Sequence, residues 1–61
     1  MKRHEVIKHL NRYGCKFLRE GKQHTVYYNL ANHKTSTIPR HIEIDNNLVD
    51  KICKDLDIPR I

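Results

Sequence analysis

Apolar residues recur at helical spacing at both ends of this 61-residue chain, and a block rich in β-branched and aromatic residues separates them. That pattern leaves few folds open. Val6, Ile7, Leu10 and Tyr13 form one stripe, so a first helix is expected from about Arg3 to Tyr13. Gly14 follows where a helix can end in the left-handed conformation without a Cβ penalty. Leu48, Val49, Ile52, Cys53 and Leu56 form the second stripe, with Asp45 suited to cap its start and Pro59 marking its limit.

Between the helices, Cys15–Arg19 reads as a strand with Cys15 and Phe17 on one face, and Glu20–Gln23 as a turn. His24–Asn29 is a second strand, Asn29–Lys34 a hairpin loop, and Thr35–Ile38 a third strand closed by Pro39, which has no N–H to donate. The expected fold is α+β, in the order α-β-β-β-α: a three-stranded antiparallel sheet with two helices on one face. No repeat, linker or low-complexity tract divides the chain, so residues 1–61 are read as a single domain.

The two cysteines, Cys15 and Cys53, lie far apart among apolar residues and are expected as reduced core thiols rather than a disulfide. Five histidines beside them raise the question of zinc. His4 and His9 are five residues apart on different helix faces, and neither cysteine has a ligand near it in sequence, so no metal site is expected. The first residues, Met1-Lys2-Arg3-His4-Glu5, lead into no apolar run, and no stretch approaches the roughly 20 apolar residues that span a bilayer. A soluble cytoplasmic protein without a membrane partner is the expectation.

The net charge is +5, and its distribution is uneven. Up to residue 42 the cations are Lys2, Arg3, Lys8, Arg12, Lys16, Arg19, Lys22, Lys34 and Arg40, against Glu5 and Glu20 alone. From Glu43 onward acidic residues prevail. A positive field over the first two-thirds of the chain points to an anionic partner, and nucleic acid is the default one. A merely solvated basic surface is the alternative, and for Lys8, Arg12 or Lys16 taken singly it is the plainer reading. No segment joins a lysine face to a large apolar face, which argues against a membrane-surface role.

Three segments resemble the HicA toxin family. In Gly14-Cys15-Lys16-Phe17-Leu18-Arg19-Glu20-Gly21-Lys22-Gln23-His24-Thr25-Val26-Tyr27-Tyr28, Arg19, His24, Val26 and Tyr27 keep the family's spacing. The turn departs from its usual Gly-Ser-His: Lys22 and Gln23 precede the histidine, and the glycine sits one residue earlier, at Gly21. Ile38-Pro39-Arg40-His41-Ile42-Glu43-Ile44 resembles the family's Val/Ile-Pro-Arg-His segment. Leu48 to Ile58 resembles its closing Leu-x-x-x-Ile-x-Lys-x-Leu-Gly-Ile pattern, with Asp57 in the glycine's place. Together these cover about residues 5 to 58. The resemblance implies a double-stranded-RNA-binding-like fold and a toxin–antitoxin system of a bacterium, archaeon or phage. It also implies cleavage of mRNA, neutralisation by a cognate HicB-type antitoxin, and His24 as the catalytic residue.

The chemistry agrees with that residue type. RNA carries its own nucleophile, the 2′-hydroxyl, so an endoribonuclease needs no metal or cofactor if it can move protons and offset phosphate charge. Histidine, with an ordinary pKa of about 6.5, suits the first task, and cations suit the second. Lys16, Arg19, Lys22 and Arg40 are the candidate RNA contacts. Tyr27 and Tyr28 are adjacent, so one faces the core and the other is free to stack on RNA; Tyr27 is the candidate. His41 reads either as a second active-face imidazole or as part of the crossing into the second helix. Alternation puts His24 on one face with Val26 and Tyr28; if the helices cover that face, His24 stays exposed only at the strand's frayed start. The rival function is a non-catalytic RNA-binding module of the same fold.

Overall fold

A computed structural model describes residues 1–61. Helix α1 (Arg3–Arg12) is followed by strands β1 (Cys15–Glu20), β2 (His24–Asn29) and β3 (Thr35–Pro39), then helix α2 (Asn46–Leu56). The sheet is antiparallel in the order β1-β2-β3. This is the α+β, double-stranded-RNA-binding-like arrangement expected from the sequence.

Both helices pack on the same face of the sheet. Val6 and Leu10 of α1 meet Val49, Ile52, Cys53 and Leu56 of α2 over Cys15, Tyr27 and Ile38 from the three strands, with Ile44 completing the core. Burial pushes the thiols of Cys15 and Cys53 above the ordinary range, which keeps them in the unreactive protonated form. No helix is long and apolar enough to cross a membrane.

The ends of the helices are closed in different ways. No side chain caps α1; instead residues 1–3 run beside 42–44, and the Arg3 N–H donates to the Ile42 carbonyl at 2.8 Å. Gly14 ends that helix at φ +80. The Asp45 side chain caps α2, accepting from the Asn47 N–H. At its far end Ile58 N–H reaches Cys53 O and Asp57 N–H reaches Lys54 O, a Schellman closure with Asp57 left-handed at φ 58. Asn29 and Asn32 donate side-chain N–H groups to the Leu56 carbonyl, which ties the hairpin loop to the helix end.

One irregularity decides which charges face outward. Phe17 pairs with Tyr27 but Arg19 pairs with Val26, so Leu18 is an extra residue on β1, a β-bulge. In a regular ladder Leu18 would pair with Val26 and Arg19 would stand opposite Thr25, on the helix-covered face. With the bulge, Arg19 joins Lys16 on the open face, and Glu20 takes the place beside Thr25.

Candidate active site

The helix-covered face of β2 carries Thr25, Tyr27 and Asn29. Tyr27 belongs to the core, Asn29 bonds to α2, and the Thr25 hydroxyl accepts from the Arg3 guanidinium of α1 at 2.9 Å. Alternation then puts His24, Val26 and Tyr28 on the opposite, open face. This settles the parity question raised by the sequence: His24 is exposed because its face is not the one the helices cover. Val26 is buried on that open face, flanked in register by Arg19 and Thr37, and stands apart from the core cluster.

The turn before His24 is tight. The Gly21 N–H donates to the His24 carbonyl at 2.7 Å, leaving Lys22 and Gln23 as a two-residue tip. A Cβ on Gly21 would lie 3.2 Å from that carbonyl oxygen, closer than an ordinary contact, so glycine suits the neck of this turn. On the other side, His24 lies opposite Pro39 in the β2–β3 register, which brings Arg40 and His41 alongside the turn. Lys22, Gln23, His24, Arg40 and His41 line one open cleft of about 470 Å³ with no apolar side chain in it.

Arg40 joins the two arms of this cleft. Its guanidinium donates to the carbonyls of Gly21 and Lys22, and pairs with the Glu20 carboxylate at 3.4 Å. Glu20 also accepts the Thr25 hydroxyl at 2.7 Å, Thr25 accepts from Arg3, and Arg3 Nε donates to the Pro39 carbonyl at 2.8 Å. A closed circuit of charge-assisted bonds thus runs from α1 through β2 and the turn to the segment after β3.

The candidate residues divide accordingly. His24, Lys22 and Arg40 meet in the cleft, with the Arg40 head turned onto the turn's backbone rather than held free. Lys16 and Arg19 stand outside it, exposed along the open face, in register with Tyr28 and Val26. Tyr27 is a correction: it is only 9% exposed, belongs to the core with its ring edge-on to the exposed Phe17, and has little surface to offer RNA. The half-exposed ring on the open face is that of Tyr28. Gln23 was not among the expected contacts, and His41, for which two readings were open, lies on the cleft wall. The signal for His41 lay in the meander itself: in antiparallel pairing, residues leaving β3 return beside residues entering β2. No group of three or more His, Cys, Asp or Glu side chains gathers in a geometry that would hold a metal.

Comparison with known proteins gives one family. Neither the curated proteins nor the solved structures yield a match. A family model described as the HicA toxin of bacterial toxin–antitoxin matches residues 3–58, a span that holds every element from α1 to α2 and both arms of the cleft. The chain belongs to the HicA toxin family.

Proposed function

We propose that this toxin is a metal-independent endoribonuclease that cleaves mRNA in the cytoplasm, with His24 as a general acid or base. We further propose that a cognate HicB-type antitoxin restrains it. What supports this reading is the exposed imidazole of His24 at the rim of a polar cleft, with Lys22 beside it and cations along the adjoining sheet face. The reaction is transesterification to a cyclic phosphate, in which the 2′-hydroxyl of the RNA attacks its own phosphodiester. Lys22 offsets charge that grows on the phosphate, and Lys16, Arg19 and Tyr28 extend the contact along the strand. Arg40 acts chiefly through the turn it holds.

A non-catalytic RNA-binding module would use the same basic face, and the open face bearing Lys16, Arg19 and Tyr28 is the observation in its favour. One experiment separates the two. The purified chain is incubated with RNA in the presence of EDTA, beside His24→Ala. The ribonuclease reading expects cleavage by the first, and by the second a loss of about 10² to 10⁴-fold with RNA retention kept. Equal cleavage by both would remove His24 from the chemistry. Salt-sensitive retention of intact RNA by both favours the binding module. Inducible expression with and without the neighbouring gene tests the antitoxin: growth arrest is expected only when the toxin is alone.

A further inference from the structure

We propose that His41 is the second proton-transfer group of the cleft, acting across from His24 on the same phosphodiester. This rests on the ribonuclease reading and adds the residue that it lacks. Cleavage by transesterification needs two proton movements. One imidazole, neutral, takes the proton of the ribose 2′-hydroxyl as the 2′-oxygen forms its bond to phosphorus. A second group, protonated, gives its proton to the 5′-oxygen as the P–O5′ bond breaks. The products are a 2′,3′-cyclic phosphate and a 5′-hydroxyl. No proton is consumed overall, and exchange with water returns both rings to their starting forms.

The residues around His24 leave one choice for the second role. Of the other cleft residues, Gln23 does not titrate and a guanidinium such as that of Arg40 does not release a proton in proteins. Lys22 serves as the cation that meets the phosphate. The nearest carboxylate, Glu20, is bonded to the Thr25 hydroxyl and paired with Arg40. Tyr28 stands four residues along β2, in register with Lys16 and Thr35, away from the cleft. His41 alone combines a titratable ring, exposure and a place on the cleft wall. It also shares none of the bonds that occupy its neighbours; the side-chain hydrogen bond made by a histidine in this fold is that of His9 to the Pro59 carbonyl.

The two rings also sit on arms that are fixed relative to each other. The His24–Pro39 register joins them on the strand side, and Arg40 joins them on the turn side through Gly21 and Lys22. A phosphodiester held between two such arms meets both groups without rearrangement of the backbone. Arg40, Lys22 and Glu20 are the charged groups that face the pair. Two cations and one carboxylate around it leave the wall positive.

The test uses two substrates and four proteins. Wild type, His24→Ala, His41→Ala and His41→Gln are compared on an RNA oligonucleotide and on its counterpart with sulfur in place of the bridging 5′-oxygen. A thiolate leaves without a proton, so the sulfur substrate needs no general acid. On ordinary RNA, both His41 variants are expected to fall by about 10² to 10⁴-fold with unchanged melting temperature. On the sulfur substrate, either His24→Ala or the His41 variants, but not both, recover to near wild type; the variant that recovers lacks the acid. Full activity of the His41 variants on RNA overturns the proposal. So does a loss that the sulfur substrate relieves in neither position, which would make His41 a positioning residue. Failure of the wild type to cleave either substrate removes the ribonuclease reading itself, and this proposal with it.

Discussion

The guanidinium of Arg40 donates to the backbone carbonyl of Gly21, so a side chain from the segment after the third strand holds the turn that presents His24. The interaction is exposed, and its loss is expected to change stability by less than about 1 kcal/mol. Its effect on the site is larger, because a displacement of about 1 Å at reacting groups costs up to roughly 10²-fold in rate. Arg40→Ala is therefore expected to reduce RNA cleavage by about 10 to 10²-fold with little change in thermal melting. Arg40→Lys, which keeps the charge but not the forked donors, is expected to recover only a small part. Rescue by lysine to near wild type would mean that charge alone is what Arg40 supplies.

The bulge at Leu18 makes a sharper forecast for binding. The bulge sets Arg19 beside Val26 on the open face, so Arg19→Ala removes one cation from that face and leaves the strand pairing in place. RNA retention should weaken, and its salt dependence should flatten by about one unit of slope if Arg19 meets a phosphate. Measuring retention at several salt concentrations, with melting as a control for folding, decides the matter. An unchanged slope excludes Arg19 from the contact.

Asp57 offers a stabilising substitution. It occupies the left-handed closing position of α2 at φ 58, where a side chain is strained and glycine is not. Its contact with Lys34 spans 4.0 Å between exposed groups and contributes little. Asp57→Gly is expected to stabilise the fold by about 0.5 to 1 kcal/mol, raising the melting temperature by several degrees in a domain of this size. RNA cleavage should not change. A lower melting temperature would show that the aspartate stabilises this helix end in its own right.

Asp55 links stability to acid. Its carboxyl is held below the usual range mainly by the hydrogen bond from Lys51 at 2.9 Å, aided by Ser36 at 3.1 Å. A carboxyl lowered on folding stabilises the fold above its unfolded pKa of about 3.9, and that contribution disappears as pH falls through the lower folded value. Asp55→Asn keeps an acceptor for Ser36 and removes the charge. Near neutral pH it should melt below wild type by an amount worth under about 1 kcal/mol, since the pair is partly exposed. The gap should narrow below about pH 4. A gap that stays constant into acid would assign the effect to packing instead of charge.

Much of this fold is legible in the sequence because each element carries its own period. The second strand begins at His24 and ends at Asn29 in both readings, and Asp45 caps the second helix where its spacing before the apolar stripe suggests. What the sequence does not carry is which face of the sheet the helices cover. Tyr27 and Tyr28 are equivalent until Asn29 and Thr25 are seen bonded to α2 and α1, and the ring assigned to RNA changes on that point alone. The bulge is hidden for a similar reason, since nothing within Lys16-Phe17-Leu18-Arg19 marks Leu18 as the surplus residue. The site itself was half legible. His24 followed from the family pattern, while the Arg3–Thr25–Glu20–Arg40 circuit depends on distances that no local spacing encodes.

The contacts of Arg3 reach 36 residues forward to Pro39 and 22 forward to Thr25. On the ribosome, where residues emerge in sequence order, the first helix can meet Cys15 and Thr25 early, but the Arg3 bond to Pro39 waits for the end of the third strand. A chain halted before Pro39 already contains His24, yet lacks the residue that pairs with it and the arm that carries Arg40 and His41. The cleft is thus among the last features to form. On the proposed ribonuclease reading, that chemistry belongs to the finished chain, and the partly made toxin has no assembled site to turn on the message that encodes it.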